Sequence, residues 1–373
     1  MAAEPPAARS PQGWLNRLIA RPGFQAWAAR FPLTRGLVSR EGAALFDIVA
    51  GFVQSQALAA IVELRLPERL MEGPRAPAEL AQGTGLAPGR MALLLQAGAA
   101  LGLFRRRRDG CYALAARGAA LAGVPGLQAM IRHHGAFYRD MADPLALLRG
   151  EAETELAGFW PYVLGARGSI DPELAARYSA LMADSQALVA EDVLAMVSLR
   201  GIRHLMDVGG GSGAFLQAVA ARAPDMVLTL FDLPEVLPQA ARRLSGAGLL
   251  GRMTLHPGSF RDDPLPRGAD AVSLVRVLYD HGDDTVAALL RAVFAALPPG
   301  GRLIVAEPMA GGDRPERAGD VYYAFYTLAM RTGRTRSAAE IAGLCRAAGF
   351  SEIGIPHAPR PYVTSALVAR RPG

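Results

Sequence analysis

The stretch LMDVGGGSGAF, Leu205–Phe215, decides the fold. The apolar run His204–Val208 reads as a short buried strand, Gly209, Gly210, Gly211 and Gly213 crowd the turn after it, and Ala214–Arg222 reads as a helix. Such a turn brings backbone N–H groups and a helix N-terminus against a ligand, and glycine is needed where a Cβ would block the approach or forbid a positive φ. About 20 residues on, LTLFD, Leu228–Asp232, reads as a second buried strand ending in an acid, where nucleotide-binding α/β folds place a carboxylate on ribose hydroxyls. The loop alone does not choose the ligand, because Gly209, Gly211 and Ala214 also fit the dinucleotide fingerprint.

Outward from the loop, further strands alternate with helices: Arg252–Leu255, Ala271–Val275, Arg302–Glu307, Glu352–Pro356 and Tyr362–Ala369. The alternation predicts a mainly parallel sheet covered by helices on both faces. Only the short segment Pro356–Pro361 joins the last two strands. A parallel crossover needs a dozen or more residues, so the seventh strand must run antiparallel. Ligands of open α/β sheets bind beyond the carboxyl ends of the strands. That places Asp207 with the glycine loop, Asp232 with Leu233, Gly258 with Ser259 and Phe260, Arg276–His281, and Glu307 around one crevice.

Toward the N-terminus, residues 1 to about 12 are rich in Pro and Ala and read as disordered. In Trp14–Phe31 apolar residues interleave with Arg17, Arg21 and Arg30, which suits either a membrane surface or short helices packed on the body or on a second subunit. Glu41–Leu64 reads as a long apolar helix, Pro77–Gln82 and Gly89–Ala100 as two shorter ones, and Leu103–Leu114 as a hairpin turning at Asp109-Gly110. That order is a winged helix. On DNA its second helix would enter the major groove, but Arg90–Ala100 carries Met91, Leu93, Leu94 and Leu95 and almost nothing that reads a base edge. An apolar second helix is built to be buried, so no nucleic-acid partner is expected. Farther on, His133, His134, Tyr138 and Asp140 form a polar group on a helical stretch; adjacent histidines diverge and no later cluster completes a ligand set, so no metal is expected. Asp171–Ser198 reads as a long helix leading into the first strand of the sheet.

The chain of 373 residues is long enough for two domains, and the pattern divides it into an extension at 1–40, a winged-helix domain at 41–122 and an α/β domain at 123–373. Cys111 and Cys345 fall in different domains and match no metal spacing, which suits a reducing, cytoplasmic compartment. The start has no basic region followed by an apolar core, and no unbroken run of 18 apolar residues occurs, so neither a signal peptide nor a membrane span is expected. The net charge of +6 comes largely from arginine and selects no partner.

Three features favour S-adenosylmethionine (SAM) over a dinucleotide: Asp207 inside the first strand, where an acid serves the ligand's ammonium; LPPGGRLIVAEP, Leu297–Pro308, a turn feeding a strand that ends in Glu307; and ADAVSLVRVLYDHGDD, Ala269–Asp284, a strand running into a polar cluster. Together these resemble the class I SAM-dependent methyltransferases, Rossmann-like seven-stranded sheets with an antiparallel last strand. The closer resemblance is to small-molecule O-methyltransferases whose N-terminal winged helix pairs two subunits. It implies SAM as cofactor, a homodimer, and a glycine loop on the methionine half of SAM, with Asp232 and Leu233 at the ribose, Ser259 and Phe260 at the adenine, and Arg276 beside them. In that family the fourth strand ends with a lysine and a histidine base follows four residues later; these positions hold Val275 and Tyr279, Asp280 matches the family's aspartate, and His281 takes its tryptophan position. Glu307 fits one acid that steadies the base, and the other falls on Ala338. Three accounts stay open, Tyr279 as base or hydrogen-bond partner, His281 as base, or a site that works chiefly by positioning; a phenol with pKa about 10 is a poor base and a histidine near about 6.5 a suited one, which puts His281 ahead of Tyr279.

VLYDH, the stretch Glu307–Ser337 and the closing RPYVTS resemble the carotenoid branch of that family, the spheroidene-type O-methyltransferases of purple phototrophic bacteria. The resemblance implies methylation of the tertiary 1-hydroxyl of an acyclic carotenoid, with contact to the inner membrane as a further expectation. Tyr322, Tyr323, Phe325, Tyr326, Leu328, Ala329 and Met330 would line a channel for a polyene. The runner-up acceptor is a polyketide or other aromatic hydroxyl; the alternative from another class is a winged-helix DNA-binding regulator with a SAM-sensing domain.

Overall fold

The computed structural model describes residues 11–158 and 185–373. The disorder expected over most of residues 1–12 and the first half of the helix expected from Asp171 lie outside the described residues. The chain forms two compact units, Met1–Ala119 and Ala120–Gly373.

The first unit is mainly helical: α1 (Pro11–Ile19), α2 (Pro22–Arg30), α3 (Arg35–Glu63), α4 (Leu66–Arg69), α5 (Pro77–Ala81) and α6 (Pro88–Ala100), then the antiparallel pair β1 (Phe104–Arg106) and β2 (Tyr112–Leu114). Proline at the first turn of α2, α5 and α6 costs no hydrogen bond there and pre-sets the helical φ. Ile61, Leu66, Leu80, Met91, Leu95 and Phe104 form the core of the unit. Gly98 of α6 lets the Phe104 ring lie against the helix, since a Cβ there would stand 2.5 Å from the ring. The expectation that α6 is buried holds for Met91 and Leu95, whereas Leu93 faces out at 63% exposure.

Helix α3 bears on one sequence expectation. It is long and apolar enough, by length and composition, to cross a bilayer. The requirement of an unbroken apolar run missed it, because Asp47, Gly51, Gln54, Ser55 and Gln56 interrupt the run. Phe46, Ile48, Val49 and Phe52 are each more than half exposed on it, an unusually large apolar face for a single chain.

The second unit opens with helices: α7 (Ala116–Gly123), which carries the boundary, α8 (Leu127–Asp140), α9 (Pro144–Arg149), α10 (Glu155–Gly158) and α11, described over 185–196. Then follow β3 (His204–Val208), α12 (Ala214–Arg222), β4 (Val227–Asp232), α13 (Leu237–Gly246), β5 (Met253–Pro257), β6 (Ala271–Val275), α14 (Asp283–Ala296) and β7 (Arg302–Glu307). A π-helical segment (Arg317–Tyr323) runs into α15 (Ala324–Met330), followed by α16 (Ala338–Ala347), β8 (Ser351–Gly354) and β9 (Ser365–Arg370). The sheet order is β5-β4-β3-β6-β7-β9-β8, parallel from β5 to β7 and antiparallel where β9 inserts between β7 and β8. This is the reversed seventh strand that the short connector requires. It begins at Ser365, three residues later than the sequence reading, because residues 361–363 form a turn.

Strands β3, β6 and β7 are buried almost end to end, as a sheet covered on both faces demands. One apolar cluster joins α14 and α16 to one face, through Val286, Leu289, Val293 and Ile341. The other joins α11, α12 and α13 to the opposite face, through Val189, Val193, Leu216 and Leu244. A third, smaller cluster packs α8, α9 and α10 on α15 through Phe137, Leu147, Leu156 and Tyr326.

Candidate active site

The carboxyl ends of β3 to β7 open on one crevice, and the glycine loop forms its floor. Gly210 is required by contact: a Cβ there would overlap the Asp207 carboxylate and the Leu230 side chain. Gly211 is required by conformation, at φ +58°, and a Cβ there would meet open space, so the loop presents bare backbone outward. Asp207 is buried beneath it. Its Oδ1 accepts from Ser273 Oγ at 2.6 Å, while Oδ2 has no hydrogen-bond partner, and burial raises its pKa to about 7. Asp232 accepts from Gly211 N and from Leu233 N, both at 2.7 Å, and so fixes the loop to the end of β4. Burial raises the pKa of Asp232 against those two bonds. A buried acid with an unpartnered oxygen, a glycine cradle and a carboxylate on the next strand fit a ligand carrying both ammonium and ribose groups, as SAM does.

Beside this floor, Gly258 N continues the ladder by donating to Asp232 O at 3.0 Å. Ser259 turns back onto its own loop, its Oγ donating to Asp262 at 3.0 Å and its N–H to Asp263 at 2.8 Å. The rings of Phe260 and His281 meet edge to face at 5.2 Å. Arg261 Nη2 reaches His281 Nδ1 at 3.1 Å, and burial together with Arg261 and Arg336 lowers the pKa of His281 to about 4. His281 therefore stands in the Phe260 group, with one ring nitrogen committed to a guanidinium.

Tyr279 lies on the other side of the β6 end. Arg276, held at φ +58°, donates from Nη2 to the Tyr279 hydroxyl at 3.2 Å and from Nη1 to Ser185 at 3.2 Å. Burial raises the pKa of the Tyr279 phenol and of the neighbouring Asp280 carboxyl well above their ordinary values. Arg276 thus reaches Tyr279 at the carboxyl end of β6, its guanidinium 5.7 Å from the ring centre. Glu307 does not steady an imidazole. Its Oε1 accepts from Val277 N at 3.0 Å and Leu278 N at 2.7 Å, and burial raises its pKa to about 7.

Three features went unread in the sequence. Arg336, 2% exposed, donates to Leu278 O and His281 O, each at 2.8 Å, and to Asp283, and thereby clamps the loop that carries Tyr279 and His281. Its position after Gly-Arg-Thr in GRTRS is the only signal the chain offers. The π-helical segment is the second; Gly319 within it packs where a Cβ would overlap Met309 O. The third is a pairing: His133 Nε2 lies 2.9 Å from the Tyr326 hydroxyl, and His134 Nε2 lies 2.7 Å from that of Tyr322. Among the described residues no cluster suited to a metal occurs. A separate cavity of about 840 Å³, lined by Arg200, Arg203, Arg267 and Arg302, lies at the amino ends of the strands, away from this chemistry.

Comparison with known proteins agrees with this geometry. A family described as the O-methyltransferase domain matches residues 138–351, and the O-methyltransferase dimerisation domain matches residues 46–123. The chain is 61% identical over its whole length to the demethylspheroidene O-methyltransferase of Cereibacter sphaeroides, covering 99% of that protein. It is 56% identical over 92% of its length to the demethylspheroidene O-methyltransferase of Rhodobacter capsulatus, covering 85% of that protein. Among solved structures, the calicheamicin-biosynthesis methyltransferase CalO1 in its SAH-bound form superposes with a TM-score of 0.75 at 28% identity, over 90% of this chain and 98% of that one. The reversed seventh strand, the glycine cradle and these matches lead to one conclusion: the chain belongs to the SAM-dependent O-methyltransferases that carry an N-terminal dimerisation domain.

Proposed function

We propose that the protein methylates the tertiary 1-hydroxyl of an acyclic carotenoid of the demethylspheroidene type. The observation that carries the reading is identity of 61% over the full chain to a protein of that name. The acceptor side suits such a substrate. Phe137, Tyr322 and Tyr326 meet edge to face or stacked at 5.4–6.2 Å and form an aromatic wall with only hydroxyl groups as its polar points.

In this reading Asp207, Gly209, Gly210, Gly211 and Gly213 hold the methionine part of SAM, Asp232 and Leu233 the ribose, and Ser259, Phe260 and His281 the adenine. SAM supplies an electrophilic methyl on a sulfonium. The protein's own contribution is to hold the acceptor oxygen in line with it, worth roughly 7–11 kcal/mol when alignment is good. Arg276 and Tyr279 border the acceptor oxygen, and Glu307 fixes the backbone that carries Tyr279. His281, with its lowered pKa and its bond to Arg261, serves the adenine and not the base; this replaces the role that residue spacing suggested. The exposed face of α3 falls within the match to the dimerisation domain, and we read it as the surface that pairs two subunits. The arginine-rich aromatic segment Trp14–Phe31 is read as contact with the cytoplasmic face of the inner membrane, where such an acceptor resides.

The test is direct. Purified protein is given SAM with demethylspheroidene or with a panel of phenols and naphthols, and the product masses are measured. Conversion of demethylspheroidene to spheroidene is the expected result; turnover of aromatic hydroxyls alone would overturn the acceptor.

A further inference from the structure

We propose that the arginine-lined cavity at the amino ends of the strands binds a compact free anion carrying two or more phosphate-type charges, of which inorganic diphosphate is the simplest. The proposal does not depend on which acceptor the enzyme methylates, because this cavity and the crevice lie at opposite ends of the strands.

The cavity, about 840 Å³, draws its lining from several segments of the α/β unit. Arg200 and Arg203 come from the turn before β3, Arg267 from the loop before β6, Arg302 from the start of β7, and Arg370 and Arg371 from the end of β9 and just beyond it. Backbone hydrogen bonds hold these segments together. Asp270 Oδ2 accepts from Arg203 N at 2.7 Å and from His204 N at 3.3 Å, and Gly300 N donates to Arg371 O at 2.9 Å. Asp270 is the one acid among the lining residues, and it is spent largely on those two amides: Arg203 Nε stands 3.8 Å from it, beyond hydrogen-bonding distance.

The charge is therefore poorly balanced. Arg302 donates to Ser198 O at 3.0 Å and to Arg200 O at 2.6 Å. Arg371 donates to Phe294 O at 2.8 Å and to Leu297 O, with its guanidinium 4.8 Å from the centre of the Phe294 ring. Carbonyl groups fix these two side chains as walls without cancelling their charge. Burial, together with the charge of Arg370, lowers the pKa of Arg302, although Asp270 opposes the shift. Arg370 pairs with the exposed Glu352 at 3.2 Å. Arg200 and Arg267 are exposed and make no ion pair among the described residues.

Six guanidinium groups against one carboxylate call for a ligand with several negative charges, and the planar fork of arginine matches phosphate oxygens two at a time. None of the described residues lining the cavity is aromatic, so a nucleobase would find no ring to stack on. The large aliphatic residues of the lining, Ile202 and Leu297, are buried, so nothing projects into a bilayer. A small, soluble polyanion is what remains.

The test uses the full chain with SAH saturating the crevice. Calorimetry should show inorganic diphosphate binding with a Kd on the order of 50 μM at low salt, weakening as chloride is raised. At about 1 mM it should raise Tm by roughly 3 °C over chloride at equal ionic strength. Arg200→Gln/Arg267→Gln keeps the Arg200 carbonyl that holds Arg302, so Tm without diphosphate and SAH affinity should not change while diphosphate affinity falls at least about tenfold. Arg105→Gln/Arg106→Gln removes two exposed charges from the hairpin of the other unit and should leave diphosphate affinity within about twofold. Co-sedimentation with vesicles of phosphatidylglycerol and phosphatidylcholine should be the same for wild type and Arg200→Gln/Arg267→Gln. Absence of both heat and Tm shift with diphosphate, or equal losses in the two double variants, overturns the site. Vesicle binding lost only in Arg200→Gln/Arg267→Gln, in a protein that ignores diphosphate, overturns it in favour of a lipid headgroup.

Discussion

The two sides of the crevice are built differently. On the cofactor side, backbone does the work: Gly210 without room for a Cβ, Gly211 at a positive φ, two amides on Asp232, one acid beneath the loop. On the side we read as facing the acceptor, side chains from distant segments do it: α8 meets α15 across 193 residues of sequence through His133 and Tyr326. A backbone cradle tolerates little change and can serve a whole family with one donor. A wall of side chains can be rebuilt for each acceptor, and here it has been, with Tyr279 where the wider family has its base.

Several variants would break or sharpen this contrast. The largest effect is expected where the two sides are tied together. Arg336→Met removes a buried donor from two carbonyls and should cost roughly 3 kcal/mol of stability, read as a lower Tm, with SAH binding and turnover both weakened. Glu307→Leu leaves the Val277 and Leu278 amides unbonded and should cost about 2 kcal/mol, whereas Glu307→Gln, which keeps an acceptor, should cost less than half of that in the same denaturant titration. Gly210→Val forces the loop off Asp207 and should weaken SAH binding in calorimetry by roughly ten- to a hundredfold; Tyr322→Phe, on the acceptor side, should leave it unchanged. Equal losses in these two would dissolve the distinction.

Smaller effects concern protons. Asp207 has a pKa of about 7 when folded against 3.8 when free, so the folded state holds its proton more tightly. The unfolded state therefore carries fewer protons between those values, and this group's contribution falls as pH rises from about 4 to about 7, then levels. Asp207→Asn should remove that slope, seen as a Tm difference from wild type that grows in the variant's favour across the window. The smallest expected effect is His281→Ala, with an SAM KM raised about fivefold by loss of the ring against Phe260 and kcat within about threefold of wild type. A hundredfold fall in kcat would return His281 to the role of base.

How much of this was legible beforehand follows the same division. Strand β3, the glycine loop and Asp232 could be read directly, because a turn that approaches a ligand must be glycine and a strand buried on both faces must be apolar. The reversed β9 followed from connector length alone. The length and apolar character of helix α3 escaped the sequence reading because a rule about unbroken runs stops at Asp47, Gly51 and Gln54. The contact of Arg276 with Tyr279 could not be read from the sequence, since it goes with a left-handed backbone at Arg276 that no residue pattern announces.

The sequence by itself determined the class of fold, the cradle and the donor it fits, because those depend on local geometry: period, glycine and the length of a connector. The tertiary structure decided which surroundings each histidine has. His281 meets Arg261 across 20 residues and His133 meets Tyr326 across 193, and the proton affinity of each ring is set by what burial and neighbouring charge do to it there. Such environments arise only when separate helices and strand ends converge, so no inspection of neighbours along the chain could have supplied them.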